Sequence, residues 1–145
     1  MRSAPSGYDG LVEANPSEAT AARRVDVLII DDEADVRDLL SEIISRAGYT
    51  VRTASDGLAA IDVLQDVRPN VIIMDLQMPL MNGAAFREAQ RHNREWIRIP
   101  TVVMTGTTDE TQLDLAVEET LRKPVRSQKL LEIVRRHSGV RPTEQ

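Results

Sequence analysis

Residues 25–47 read VDVLIIDDEADVRDLLSEIISRA, and within them the spacing of the apolar side chains changes. Val27 to Ile30 form an unbroken apolar run that ends at Asp31-Asp32, the pattern of a short buried strand. From Ala34 to Ala47 the apolar residues Val36, Leu39, Leu40, Ile43, Ile44 and Ala47 fall instead at i, i+3, i+4, i+7, i+8 and i+11, one face of an α-helix. Gly48 ends that helix. A strand that feeds directly into a core-facing helix is the first half of a βαβ unit.

The same alternation continues along the chain. Strands are expected at Val25 to Asp31, Thr50 to Ala54, Asn70 to Asp75, Pro100 to Thr105 and Thr120 to Arg122. Helices are expected at Gly57 to Val67 with Ile61, Leu64 and Val67 inward, at Ala84 to Glu95 around Phe86 and Ala89, and after a Ser127 cap with Leu130, Leu131 and Val134 inward. Residues 109–117 should hold a further helix, although Leu113, Leu115, Ala116 and Val117 share no single face. Residues 1–24, with Pro5, Gly7, Gly10 and Pro16 and no apolar period, read as a flexible tail, and residues 138–145 as a second. Residues 25–137 then form a single α/β domain, a doubly wound five-stranded parallel sheet with helices on both faces.

Composition excludes several classes of function. The 145 residues are 41% apolar and 28% charged and include no Cys, which removes thiolate zinc sites, disulfide scaffolds and cysteine nucleophiles. No apolar run exceeds four residues, so neither a membrane span nor a signal-peptide core is present, and a cytoplasmic location is expected. Arg2, Arg23 and Arg24 balance Asp9, Glu13 and Glu18 in the first tail, as Arg141 balances Glu144 in the second, so the body carries the whole net charge of −5. That sign argues against nucleic-acid binding by this chain alone.

In an open parallel sheet, ligands bind where the carboxyl ends of the strands converge. Here those ends carry Asp31-Asp32, Asp75 and Thr105, and Lys123-Pro124 follows the fifth strand. Three close carboxylates resist joint ionisation without a cation among them, and oxygen-only donors select a hard ion such as Mg²⁺. A protonated lysine cannot ligate that ion but can bind an anion. This set suits the handling of a phosphoryl group, with Asp75 as nucleophile and with Lys123 and Thr105 on the phosphoryl oxygens. Each residue alone has a plainer reading: acids favour a helix N-terminus, Thr105 suits a strand, and a lone lysine is usually solvated. Their joint placement at matching strand ends outweighs those readings.

The stretches Val-Leu-Ile-Ile-Asp31-Asp32-Glu33, Met74-Asp75-Leu-Gln-Met78-Pro79 with Gly83, Val-Met-Thr105-Gly106 and Leu-Arg-Lys123-Pro124, in this order and spacing, resemble the receiver domain of two-component response regulators over residues 25–137. The resemblance implies a flavodoxin-like strand order 2-1-3-4-5 and phosphotransfer to Asp75 from a phosphohistidine of a sensor histidine kinase or histidine phosphotransfer protein. It also implies Mg²⁺ held by Asp32, Asp75 and the Gln77 carbonyl, with Asp31 acting mainly through water. Lys123 would pair with the phosphoryl group, Thr105 would turn inward to bond it, and the Lys123-Pro124 peptide would be cis. The downstream protein partner stays open, membrane insertion is not expected, and with no second domain after Val134 a stand-alone regulator is expected.

Three features depart from the family pattern. Thr120 replaces the aromatic whose rotamer reports phosphorylation, Thr105 and Lys123 are 18 residues apart, fewer than in typical receivers, and the small-residue turn before the fifth strand is missing. The helix at residues 109–117 is therefore expected to be short, displaced or partly unwound. Val125 in place of a frequent Phe and Asn82 in place of a frequent Asp are milder differences. A pseudo-receiver that binds partners without phosphate is the alternative, but the complete set Asp31, Asp32, Asp75, Thr105 and Lys123 argues against it. A haloacid-dehalogenase-like phosphohydrolase would want an acid two residues after Asp75, where Gln77 stands. The chain is thus expected to be a signalling domain that catalyses only its own phosphotransfer and dephosphorylation.

Other conspicuous residues have ordinary readings. Met74, Met78, Met81 and Met104 read as core or crevice filler, and His92 and His137 as surface residues. Arg87, Arg91, Arg94 and Arg98 recur at helical spacing and read as a solvated face in preference to an anionic docking surface.

Overall fold

The computed structural model describes residues 22–76, 83–106 and 119–140. Five strands, β1 (Arg23–Ile30), β2 (Val51–Ala54), β3 (Val67–Asp75), β4 (Thr101–Thr105) and β5 (Glu119–Arg122), form one sheet in the order β2-β1-β3-β4-β5. Every neighbouring pair is parallel. The helices are α1 (Ala34–Arg46), α2 (Gly57–Leu64), α3 (Gly83–Arg91) and α4 (Ser127–Ser138), with a 3₁₀ turn at Trp96–Arg98.

The central strands are buried on both faces, which is why Val27 to Ile30 and Val71 to Met74 show no polar alternation. Their side chains still alternate between two cores. Val27, Ile29, Val71, Ile73, Val102 and Met104 pack with Leu40 and Ile44 of α1 and Leu130, Ile133 and Val134 of α4. Leu28, Ile30, Ile72, Met74 and Val103 pack on the other face with Ala60 and Leu64 of α2, Phe86 of α3, Trp96 and Ile99.

Several local expectations are corrected. Leu39 is 57% exposed, because at 100° per residue it lies about 100° round the axis from Leu40, outside the stripe centred on Leu40, Ile44 and Ala47. Val67 does not extend α2; it opens β3, which pairs with β1 from Arg23↔Val67 to Ile30↔Met74. That pairing also draws Arg23 and Arg24 into β1, two residues ahead of the expected start. The helix expected to reach Glu95 stops at Arg91, and Asn93 then accepts hydrogen bonds from the backbone N–H groups of Glu95 and Trp96 at 2.9 and 3.0 Å, starting the 3₁₀ turn. Ser127 is the first residue of α4 and not its cap; extended Arg126 holds the cap position.

Arg87 is a larger correction. It is buried rather than solvated, and its guanidinium donates to Gln90 Oε1 at 2.8 Å. Gln90, fully buried, donates in turn to the carbonyls of Trp96 and Ile99. Gln90 thus satisfies carbonyls that the 3₁₀ turn leaves open, and Arg87 braces Gln90 from its other end. Met74 and Met104 lie in the core as expected, whereas Met78, Met81, Asn82, the 109–117 helix and both tails' outer residues fall outside the described residues. Among the described residues no helix is long and apolar enough to cross a membrane.

Candidate functional site

The β1–β3 register determines the centre of the site. Ile30 pairs with Met74, so Asp31 and Asp75 occupy adjacent positions one step on, in neighbouring strands and at the point where the strand order reverses. Asp31 is fully buried, while Asp32, the next residue, is exposed. One carboxylate oxygen from each of Asp31, Asp32 and Asp75 can be chosen so that all lie within 4.8 Å of one another. Three hard oxygen donors at that spacing, with no nitrogen or sulfur among them, fit a small divalent cation such as Mg²⁺.

Lys123 arrives from the far side of the sheet. Thr105 pairs with Arg122 across β4 and β5, and the Lys123 N–H donates to the Thr105 carbonyl at 2.9 Å, which fixes where the lysine leaves the strand. The Lys123-Pro124 peptide is cis, as the resemblance implies. Lys123 Nζ donates to Asp31 Oδ2 at 3.1 Å and to Asp75 Oδ2 at 3.3 Å, and Glu33 Oε1 lies 3.9 Å away. Partial burial opposes its charge, but the hydrogen bond to Asp31 and the charges of Asp75 and Asp31 outweigh that penalty and hold the ammonium above lysine's ordinary range.

Asp31 is braced on its other side, where Oδ1 accepts from the Glu33 backbone N–H at 2.9 Å. Both of its oxygens are therefore engaged inside the protein, whereas Asp32 faces outward. Thr105 is buried at the end of β4, beside the strand that carries Asp75. Gln77 lies outside the described residues.

The structure thus brings Asp31, Asp32, Asp75 and Lys123 together as the strand-end reading requires, and it adds two residues. Glu33, to which the strand-end reading gives no role, lies near Lys123 Nζ and donates its N–H to Asp31. Arg37 donates from Nη1 to the Asp31 carbonyl at 2.7 Å, tying the first turn of α1 to the elbow that carries both aspartates. Its signal in the sequence was a cation in the first turn of a helix, where the macrodipole disfavours positive charge unless a nearby acceptor holds it.

Comparison with known proteins converges on one family. A family model described as the response regulator receiver domain matches residues 27–135. A probable transcriptional regulator ycf27 of Guillardia theta is 34% identical over 102 residues, which are 68% of this chain and 39% of that protein. The chain spans about a fifth to a half of the length of the curated relatives it matches. Among solved structures, chemotaxis protein CheY4 of Vibrio cholerae superposes with a TM-score of 0.71 at 32% identity, covering 81% of this chain and 99% of the other. The receiver domain of sensor histidine kinase PA1611 from Pseudomonas aeruginosa PAO1, with a magnesium ion coordinated in its active site cleft, shares the fold at a TM-score of 0.71 and 21% identity, covering 81% and 98%.

Proposed function

The chain belongs to the response regulator receiver family of two-component systems, and on that premise we propose that Asp75 is its phosphoacceptor. A carboxylate oxygen of Asp75 forms the new O–P bond as the P–N bond to a donor phosphohistidine breaks, leaving an acyl phosphate on Asp75 and a neutral imidazole on the donor once it takes up a proton. The observation that carries this reading is the bridge from Lys123 Nζ to both Asp31 and Asp75, which puts a fixed ammonium beside the attacking oxygen.

Asp32, Asp75 and the Gln77 carbonyl would ligate Mg²⁺, with Asp31 acting through water. When bound, the ion neutralises charge on the transferring group. Lys123 exchanges its carboxylate partner for a phosphoryl oxygen, and the Thr105 hydroxyl donates to another. Buried Asp31 holds Lys123 in the crevice. The donor is a sensor histidine kinase or a histidine phosphotransfer protein, and the phosphorylated form alters the binding of a downstream protein. The body, residues 25–137, would act in the cytoplasm as a signalling domain with no external substrate. The complete acid–lysine set favours this over a phosphorylation-independent module.

The test is incubation of the chain with acetyl phosphate and Mg²⁺ followed by intact mass measurement. The wild type should gain one phosphate, and Asp75→Asn or chelation of the metal should remove the gain. Equal labelling of Asp75→Asn would put the nucleophile elsewhere.

A further inference from the structure

At the opposite end of the sheet from Asp75, the amino ends of β1 and β3 open into a groove of about 630 Å³. Arg24, Arg68 and Arg98 reach it from β1, β3 and the 3₁₀ turn, and Pro69, Ile99 and Pro100 supply apolar wall. In a domain of net charge −5 this is a local reversal of sign.

Arg24 and Arg68 are register partners on adjacent strands, so two guanidinium groups stand side by side on one face. Like charges in that relation destabilise a sheet unless an anion lies between or beside them. Among the described residues only half of that demand is met. Arg68 is ion-paired with Glu95 and also donates to the Leu64 and Val67 carbonyls, whereas the partner they offer Arg24 is the neutral Asn70 Oδ1, at 2.6 Å. Among the described residues, neither Arg24 nor Arg98 has a carboxylate within ion-pairing distance.

We propose that this groove binds an acidic peptide segment of a partner protein, with two of its carboxylates seated on Arg24 and Arg98 and an apolar side chain against Pro69, Ile99 and Pro100. Three features select a peptide. Glu95 already shows a peptide carboxylate seated on an arginine of this groove. The volume far exceeds that of one inorganic anion, and the apolar wall is wasted on a bare phosphate but suits a side chain set between two acids. The proposal is independent of the chemistry at Asp75.

Trp96, the single tryptophan, begins the turn that carries Arg98, so a shift of that turn on binding would be read in its fluorescence. Titration of the full chain with the peptide EELEE should give a saturable change, confirmed by calorimetry, that weakens as salt rises from about 50 to 200 mM. Arg24→Glu and Arg98→Glu should each weaken binding by about tenfold or more, and Arg24→Gln and Arg98→Gln by less, with circular dichroism unchanged. Arg68 is left intact because it also braces backbone carbonyls. Absence of saturation at millimolar peptide, or wild-type affinity in both charge-reversed variants, would overturn the site. Displacement of EELEE by an equal concentration of inorganic tripolyphosphate would overturn the assignment to a peptide.

Discussion

Three aspartates contribute to one crevice, yet their surroundings assign them different work. Asp31 is wholly buried and spends one oxygen on Lys123 and the other on the Glu33 N–H, while Asp32 is exposed and turned to the mouth. A direct ligand loses more cation–oxygen energy on removal than a residue acting through water. Asp32→Ala is therefore expected to weaken Mg²⁺ binding more than Asp31→Asn, as calorimetric titration of both variants would show; the reverse order would exchange their roles. Lys123 bears on stability as well. Without it, Asp31 and Asp75 would face each other without their shared counter-charge, so Lys123→Ala should destabilise the protein by about 1–3 kcal/mol in EDTA, and saturating Mg²⁺ should recover part of that loss. Chemical denaturation with and without the metal measures both. These residues were legible because strand ends can be read one at a time, and matching chemistry at several of them is improbable by chance. Arg37 was harder to place, since a cation in the first turn of a helix calls for a nearby acceptor without saying that it is a carbonyl six residues earlier.

Within the elements, periodicity was a sound guide to existence and a poor one to edges. α1 was read almost to the residue because six apolar positions repeat along it, but the count alone could not say which flank of a wide stripe meets the sheet. Leu40 is buried and Leu39 mostly exposed. Leu40→Ala should thus cost about 2–5 kcal/mol in chemical denaturation, and Leu39→Ala well under about 1 kcal/mol. Similar costs for both would mean that Leu39 is covered. The end of α3 was misread for a different reason. Sequence spacing made Arg87 one member of a basic stripe, whereas packing turns it inward to Gln90, and Asn93 bonds its own downstream backbone in preference to continuing the helix. Both outcomes depend on where the 3₁₀ turn meets the sheet. The start of β3 depends likewise on pairing with β1, which local pattern does not contain.

For the molecule as a whole, the strand order came from the resemblance, since alternating elements imply a parallel sheet without ranking its strands. That order makes the site possible: β1 and β3 lie side by side at the switch point and bring together carboxylates 44 positions apart, at 31 and 75. Such convergence has a cost in stability. Three carboxylates within 4.8 Å repel, and Lys123 contacts two of them, Asp31 and Asp75, through hydrogen bonds while Asp32 has no such bond to it. Removing the Asp32 charge should therefore relieve repulsion without orphaning a buried partner. In EDTA, Asp32→Asn is expected to melt a few degrees above the wild type. Adding Mg²⁺ should then raise the wild-type melting temperature, because a ligand that binds only the folded state stabilises it by mass action, and should raise that of Asp32→Asn far less. The two curves would cross as metal is added. A variant less stable than the wild type under both conditions would mean that Asp32 serves the fold itself, and the site would then be no strain on the domain that carries it.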